Sequence, residues 1–120
     1  MLDHLGVKVK DLASSRRFYT AALAPLGFTV QYEDEAAVGF GPKGAPAFWL
    51  RQGEARGSAH IAFAAQDRAA VNAFHTAAVP AGGKDNGGPG LRPDYHATYY
   101  AAFVTDPDGN NVEAVCHEAQ

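Results

Sequence analysis

Three side chains in this 120-residue chain, His4, His60 and Glu113, are of the types that hold a divalent ion between them. Two neutral imidazoles and one carboxylate suit Fe, Mn, Ni, Co or Zn and leave positions open for water or substrate. An internal repeat joins the two histidines. Placing His4 on His60, an offset of 56, also puts Asp11 on Asp67, Phe18 on Phe74, Thr20-Ala21-Ala22 on Thr76-Ala77-Ala78 and Gly27 on Gly83. Eight identities fall in 24 gap-free positions, and the His, Asp, Phe, Thr and Gly matches do not come from alanine richness. Equivalent positions in a repeat are expected to meet around a pseudo-two-fold axis, so His4 and His60 are the natural pair to converge. Glu113 stands in an otherwise apolar strand, where glutamate fits poorly; it is either their third partner or a solvated residue of an outer face.

The other histidines fit this constellation less well. His117 shares the strand parity of Glu113 but lies about 13 Å further along at strand rise, too far to touch the same ion. His75 falls on a helix. His96 sits in the segment Arg92-Pro-Asp-Tyr-His96 just before a strand, within reach of a pocket as acid, base or substrate contact.

The elements that must position these residues follow from periodicity. Leu5, Val7 and Val9 alternate with His4, Gly6 and Lys8, and Ile61 and Phe63 alternate with His60 and Ala62, so each histidine opens a strand on the face away from the large apolar residues. A helix follows in each copy, capped by Asp11 or Ser14 and by Asp67, and stopped by Gly27 and Gly83. Further strands are predicted at Phe28 to Glu33, Ala37 to Phe40, Ala47 to Arg51, Ala97 to Val104 and Asn111 to His117. Gly82 to Pro93 reads as a long loop in which any strand is short. Asp106-Pro-Asp-Gly109 is a turn, with Pro107 fixing φ and Gly109 accepting a positive one. The expected fold is α+β: two βαβββ modules, about 1–55 and 56–118, pairing into a curved, cleft-forming sheet with helices outside.

Composition narrows the partners. Ten Lys and Arg against thirteen Asp and Glu give a net charge of −3, with the basic residues scattered, so neither nucleic acid nor an anionic membrane is expected. The lone Cys116 and the lack of an apolar span near 20 residues read as a cytoplasmic protein. Alanine supplies 24 of the apolar residues, so the core is thin and a homodimer is expected.

Asp3-His-Leu-Gly-Val-Lys-Val-Lys-Asp11, Arg17-Phe-Tyr19, Leu26-Gly-Phe28, Ser58-Ala-His-Ile-Ala-Phe63 and, most specific, Tyr99-Tyr-Ala-Ala-Phe-Val-Thr-Asp-Pro-Asp-Gly-Asn-Asn-Val-Glu113 together resemble the vicinal oxygen chelate superfamily. It includes glyoxalase I, extradiol dioxygenases, fosfomycin resistance thiol transferases and bleomycin-binding proteins. The resemblance covers essentially the whole chain. It implies metal ligands from the first and last strand of each module, and His4, His60 and Glu113 match three such positions. At the fourth, alignment of the two turns places Phe48, or Trp49 after a one-residue slip, and neither binds a metal. Phe103 stands where dioxygenases and fosfomycin transferases commonly carry a tyrosine.

The resemblance therefore implies a small metal-dependent enzyme chelating vicinal oxygens of a small-molecule substrate. Lyase or isomerase chemistry comes before ring-cleaving dioxygenation. Phe48, Trp49 and Phe103 would line the substrate pocket, with His96 and Tyr99 as catalytic proton shuttles. The rival reading is a metal-free, bleomycin-resistance-like binding protein without turnover.

Overall fold

The computed structural model describes residues 1–119 and repeats one βαβββ pattern twice. The first copy runs β1 (Leu5–Val9), α1 (Leu12–Leu23), a short 3-10 turn (Ala24–Leu26), β2 (Thr29–Glu33), β3 (Ala37–Gly41) and β4 (Phe48–Gln52). The second runs β5 (His60–Ala64), α2 (Arg68–Ala78), β6 (Lys84–Leu91), β7 (Tyr100–Thr105) and β8 (Asn111–Cys116). Each copy folds its own four-stranded sheet, sheet A in the order β1-β4-β3-β2 and sheet B in the order β5-β8-β7-β6. The first and last strands of each module pair in parallel, and all other pairs are antiparallel.

A helix covers one face of each sheet, and the strand alternation follows from that. Ile61 and Phe63 of β5 are buried on the helix side while His60, Ala62 and Ala64 face outward. In β1, Val7 and Val9 join the core and Gly6 and Lys8 do not. Phe18, Tyr19 and Leu23 of α1 and Val71, Phe74 and Ala78 of α2 are fully buried, and the two helices pack against each other. Phe63 bridges the halves, its ring 5.7 Å from Phe28 and 5.3 Å from Phe48. Burying such a side chain is worth about 1.5–3 kcal/mol.

Asp11 and Asp67 cap the helices by accepting from the backbone N–H of Ala13 and Ala70, and Ser14 donates to Asp11 rather than capping itself. Gly27 ends the first helical segment at φ 80°. After α2 the left-handed residue is Gly82, at φ 114°, and not the predicted Gly83. Gly83 is needed for space: a Cβ there would meet the Phe18 ring at 2.6 Å and the Ala78 carbonyl at 3.0 Å.

Two features depart from, or extend, the sequence reading. The predicted Gly82 to Pro93 loop is mostly strand β6, an edge strand whose pairing with β7 shifts register twice, a geometry that tolerates Pro89 and three glycines. The Asp106 turn does more than reverse the chain. Its buried carboxylate accepts from the backbone N–H of Asp108 and Asn110, from Asn110 Nδ2, and from the Tyr19 hydroxyl of α1 at 2.5 Å. Burial and the Asp106 charge push the Tyr19 phenol far up, so it stays a donor.

Candidate functional site

Glu113 is the chemical centre of the helix-free face of sheet B. Directly paired residues share a face, which places Glu113 beside Ala62 of β5 and Phe103 of β7. Its side chain is 2% exposed, whereas that of His60 is 57% exposed. Glu113 Oε1 lies 2.8 Å from His60 Nε2, and Oε2 accepts a short hydrogen bond from the Tyr99 hydroxyl. Burial first, then the hydrogen bond to Glu113 and that carboxylate's charge, push the Tyr99 phenol up to about 12. Tyr99 is accordingly a neutral proton donor at physiological pH.

Around Tyr99 stand Tyr95, His96 and His117, with ring centroids 4.8, 5.3 and 5.2 Å away. The Thr98 N–H donates to His96 Nδ1. A neutral His96 so held carries its proton on Nε2 and donates it to His117 Nδ1, 2.7 Å away. Sequence spacing kept His117 apart from Glu113. The Tyr99 ring spans that gap and makes His117 part of the same surface, a link that only strand parity hinted at.

The first module contributes differently. His4 precedes β1, its side chain is 61% exposed, and its Nδ1 lies 2.7 Å from Asp3 Oδ2. It borders a hollow of about 480 Å³ with Gly6, Trp49 and Arg51, whereas His60 borders a different hollow of about 460 Å³ between the edges of β1 and β5. Within one chain the expected His4, His60 and Glu113 cluster is therefore not assembled. Among the described residues no three His, Cys, Asp or Glu side chains are grouped to hold a metal. The repeat does place both histidines equivalently, but on two separate sheets, with α1 packed beside α2 instead of one open face on the other.

Register also decides between Phe48 and Trp49. Gly6 pairs with Trp49 as Ala62 pairs with Glu113, and residues 6 and 62 are 56 apart, so Trp49 is the counterpart of Glu113. Phe48 pairs with Leu5 on the helix side, is 2% exposed and packs against Tyr19 and Phe63 in the core. It is a core residue and not the expected wall of the site. Trp49 lies half-buried on the helix-free face, 5.6 Å from Tyr32, over Gly39, where any Cβ would meet its ring at 2.8 Å.

Comparison with known proteins agrees with this architecture. Residues 1–114 match the family model described as Glyoxalase/Bleomycin resistance protein/Dioxygenase superfamily. None of the curated proteins matches the chain. A glyoxalase/bleomycin resistance protein from Albidiferax ferrireducens T118 is 30% identical, with 97% of this chain and 98% of that one covered and a TM-score of 0.83. A glyoxalase/bleomycin resistance protein/dioxygenase family enzyme from Burkholderia phytofirmans PsJN shares the fold at 18% identity, 97% and 98% coverage and a TM-score of 0.74. So does a glyoxalase I variant from Zea mays, at 21% identity and a TM-score of 0.69; 95% of this chain covers 46% of the maize chain. The chain belongs to the glyoxalase/bleomycin resistance protein/dioxygenase superfamily.

Proposed function

We propose that the chain acts as a homodimeric, metal-dependent enzyme on a small molecule, with each site built from the helix-free face of sheet B in one copy and of sheet A in the other. The observation that carries this reading is the division of donors. His60 and Glu113 sit together on one open face, and the third donor, His4, is exposed on the other. An imidazole nitrogen and a carboxylate oxygen 2.8 Å apart, the carboxylate buried, fit two positions of a divalent ion, and His4 of a second copy supplies the third. Such an ion acts as a Lewis acid toward a substrate oxygen.

The chain's own residues do the rest. Tyr99 orients Glu113 through Oε2 and keeps a proton at its hydroxyl, next to the bound substrate. Phe103 and Trp49 exclude water from opposite sides, and His96, hydrogen-bonded to His117, passes protons at the rim. Lyase or isomerase chemistry comes before ring cleavage, because Phe103 stands where ring-cleaving dioxygenases commonly carry a tyrosine. One observation favours the rival, a metal-free binder: an indole stands where the first module's carboxylate would be.

Mixing separates these readings. His4→Ala and Glu113→Ala chains, each unable to retain Mn, Fe, Ni, Co or Zn alone, should regain about a quarter of the wild-type metal content after co-refolding, because half the dimers then carry one complete site of two. No recovery in the mixture overturns the shared site. No metal uptake by the wild type overturns the enzyme reading in favour of the binder.

A further inference from the structure

The glycine-rich stretch of β6 has a function that sheet formation does not explain, since glycine and proline weaken a strand. Its backbone wraps one side chain. Arg92 donates from Nη1 to the Gly90 carbonyl and from Nη2 to the Gly88 carbonyl, both at 2.8 Å. A Cβ on Gly87 would stand 3.2 Å from Nη2 and 3.1 Å from the Phe103 ring, and a Cβ on Gly90 would stand 3.3 Å from Nη1. The guanidinium occupies the room those missing side chains leave, with its Cζ 5.3 Å from the centre of the Phe103 ring.

That position is on the open face of sheet B. Phe103 pairs with Glu113 across β7 and β8, and its ring lies 6.4 Å from that of His60. The Arg92 backbone N–H donates to the carbonyl of Tyr99, whose phenol reaches Glu113. Among the described residues Arg92 has no carboxylate partner, while Arg16 pairs with Glu33 and Arg56 with Glu54. Two of a guanidinium's five N–H groups are taken by neutral carbonyls. A permanent cation is thus fixed in place, with donors to spare and, among the described residues, no carboxylate at ion-pair distance.

We infer that Arg92 is the anion anchor of the site and that the natural substrate carries a carboxylate or similarly flat oxyanion, held by the guanidinium above Phe103 while its reacting oxygens lie toward His60 and Glu113. This deepens the proposed function and rests on its placement of the site on this face. A cradled guanidinium recognises a carboxylate bidentately without losing the freedom a surface lysine would lose, which makes it a specificity element. It also sets the substrate's orientation, because the Glu113 carboxylate repels the same group.

The test compares sodium benzoate with benzamide, its uncharged counterpart, by calorimetric titration into chelator-treated full-length protein. Benzoate should bind about tenfold or more tightly than benzamide, the worth of one charge-assisted hydrogen-bonded contact. Arg92→Gln should abolish that preference, Arg92→Lys should restore it only in part, and Arg17→Gln, at an exposed position of α1 on the helix side, should leave it intact. Should Arg92→Gln fail to fold, the arginine Nε–H resonance that disappears in Arg92→Lys identifies Arg92 in wild-type spectra, and it must shift saturably with benzoate and not with benzamide. Equal binding of the two probes overturns the inference, and so does a preference that survives Arg92→Gln or vanishes in Arg17→Gln. If a carboxylate of the second copy already occupied Arg92, the probes would bind equally and Arg92→Gln would loosen the dimer. Because metal is removed beforehand, failure of the metal site leaves the benzoate preference unchanged and is read separately, in the mixing experiment.

Discussion

Tyr99 ties the charge of Glu113 to the stability of the fold. Its phenol is raised from 10.0 to about 12 by burial and by the carboxylate it touches. Between those two values the unfolded chain releases a proton that the native chain keeps, so the contribution is fully present below pH 10 and disappears as pH rises toward 12. Urea midpoints measured at pH 8, 10 and 11 should therefore fall more steeply for wild type than for Tyr99→Phe. At neutral pH the same variant should cost about 1 kcal/mol for the lost hydrogen bond. The candidacies of Tyr99 and Glu113 were legible in the sequence from strand parity and from a carboxylate in an apolar strand. Their mutual contact was not, because it depends on how far a phenol reaches along β7. The Phe48 reading failed for a related reason: aligning two turns fixes position to about one residue, and one residue in a strand exchanges the core face for the open one. Arg92 was legible only as one of three cations, with Lys8 and Arg51, available to an anionic substrate; the sequence could not choose among them, since the carbonyls that hold Arg92 belong to the backbone.

Among the elements, the turn joining β7 to β8 carries more than its own geometry. Asp106 collects four donors, one of them from α1 of the other module. Asp106→Ala should lower the unfolding free energy by about 3 kcal/mol, more than Tyr19→Phe, which should cost about 1–2 kcal/mol, both read by urea denaturation. If the Asp106 cluster serves only the turn, Tyr19→Phe will match wild type. The turn itself could be read from Pro107 and Gly109, the latter at φ 90°. Its role in joining the modules could not, because Tyr19 and Asp106 are 87 residues apart in the chain. Strand β6 was hidden for the opposite reason: its local composition argues for a loop, and pairing with β7 overrides that preference.

At the scale of the molecule, one chain measures 42 × 28 × 26 Å and leaves both helix-free faces uncovered. Sedimentation equilibrium should return a dimer, and His4→Ala should leave that mass unchanged while removing metal from the protein. Trp49→Glu places a carboxylate at the counterpart of Glu113 and should slow loss of Zn or Ni to a chelator; an unchanged rate would mean that position 49 faces away from the ion. The repeat made both modules legible and could not say which surfaces they turn toward each other, because helix packing and face-to-face packing satisfy the same sequence symmetry. A last consequence belongs to β6. It is the outer edge of sheet B, paired on one side only, and such an edge is a template for adding strands from other molecules. Pro89, the two register shifts and the glycines that make room for Arg92 also spoil that template, so the residues that cradle one side chain make this edge a poor start for amyloid-like growth.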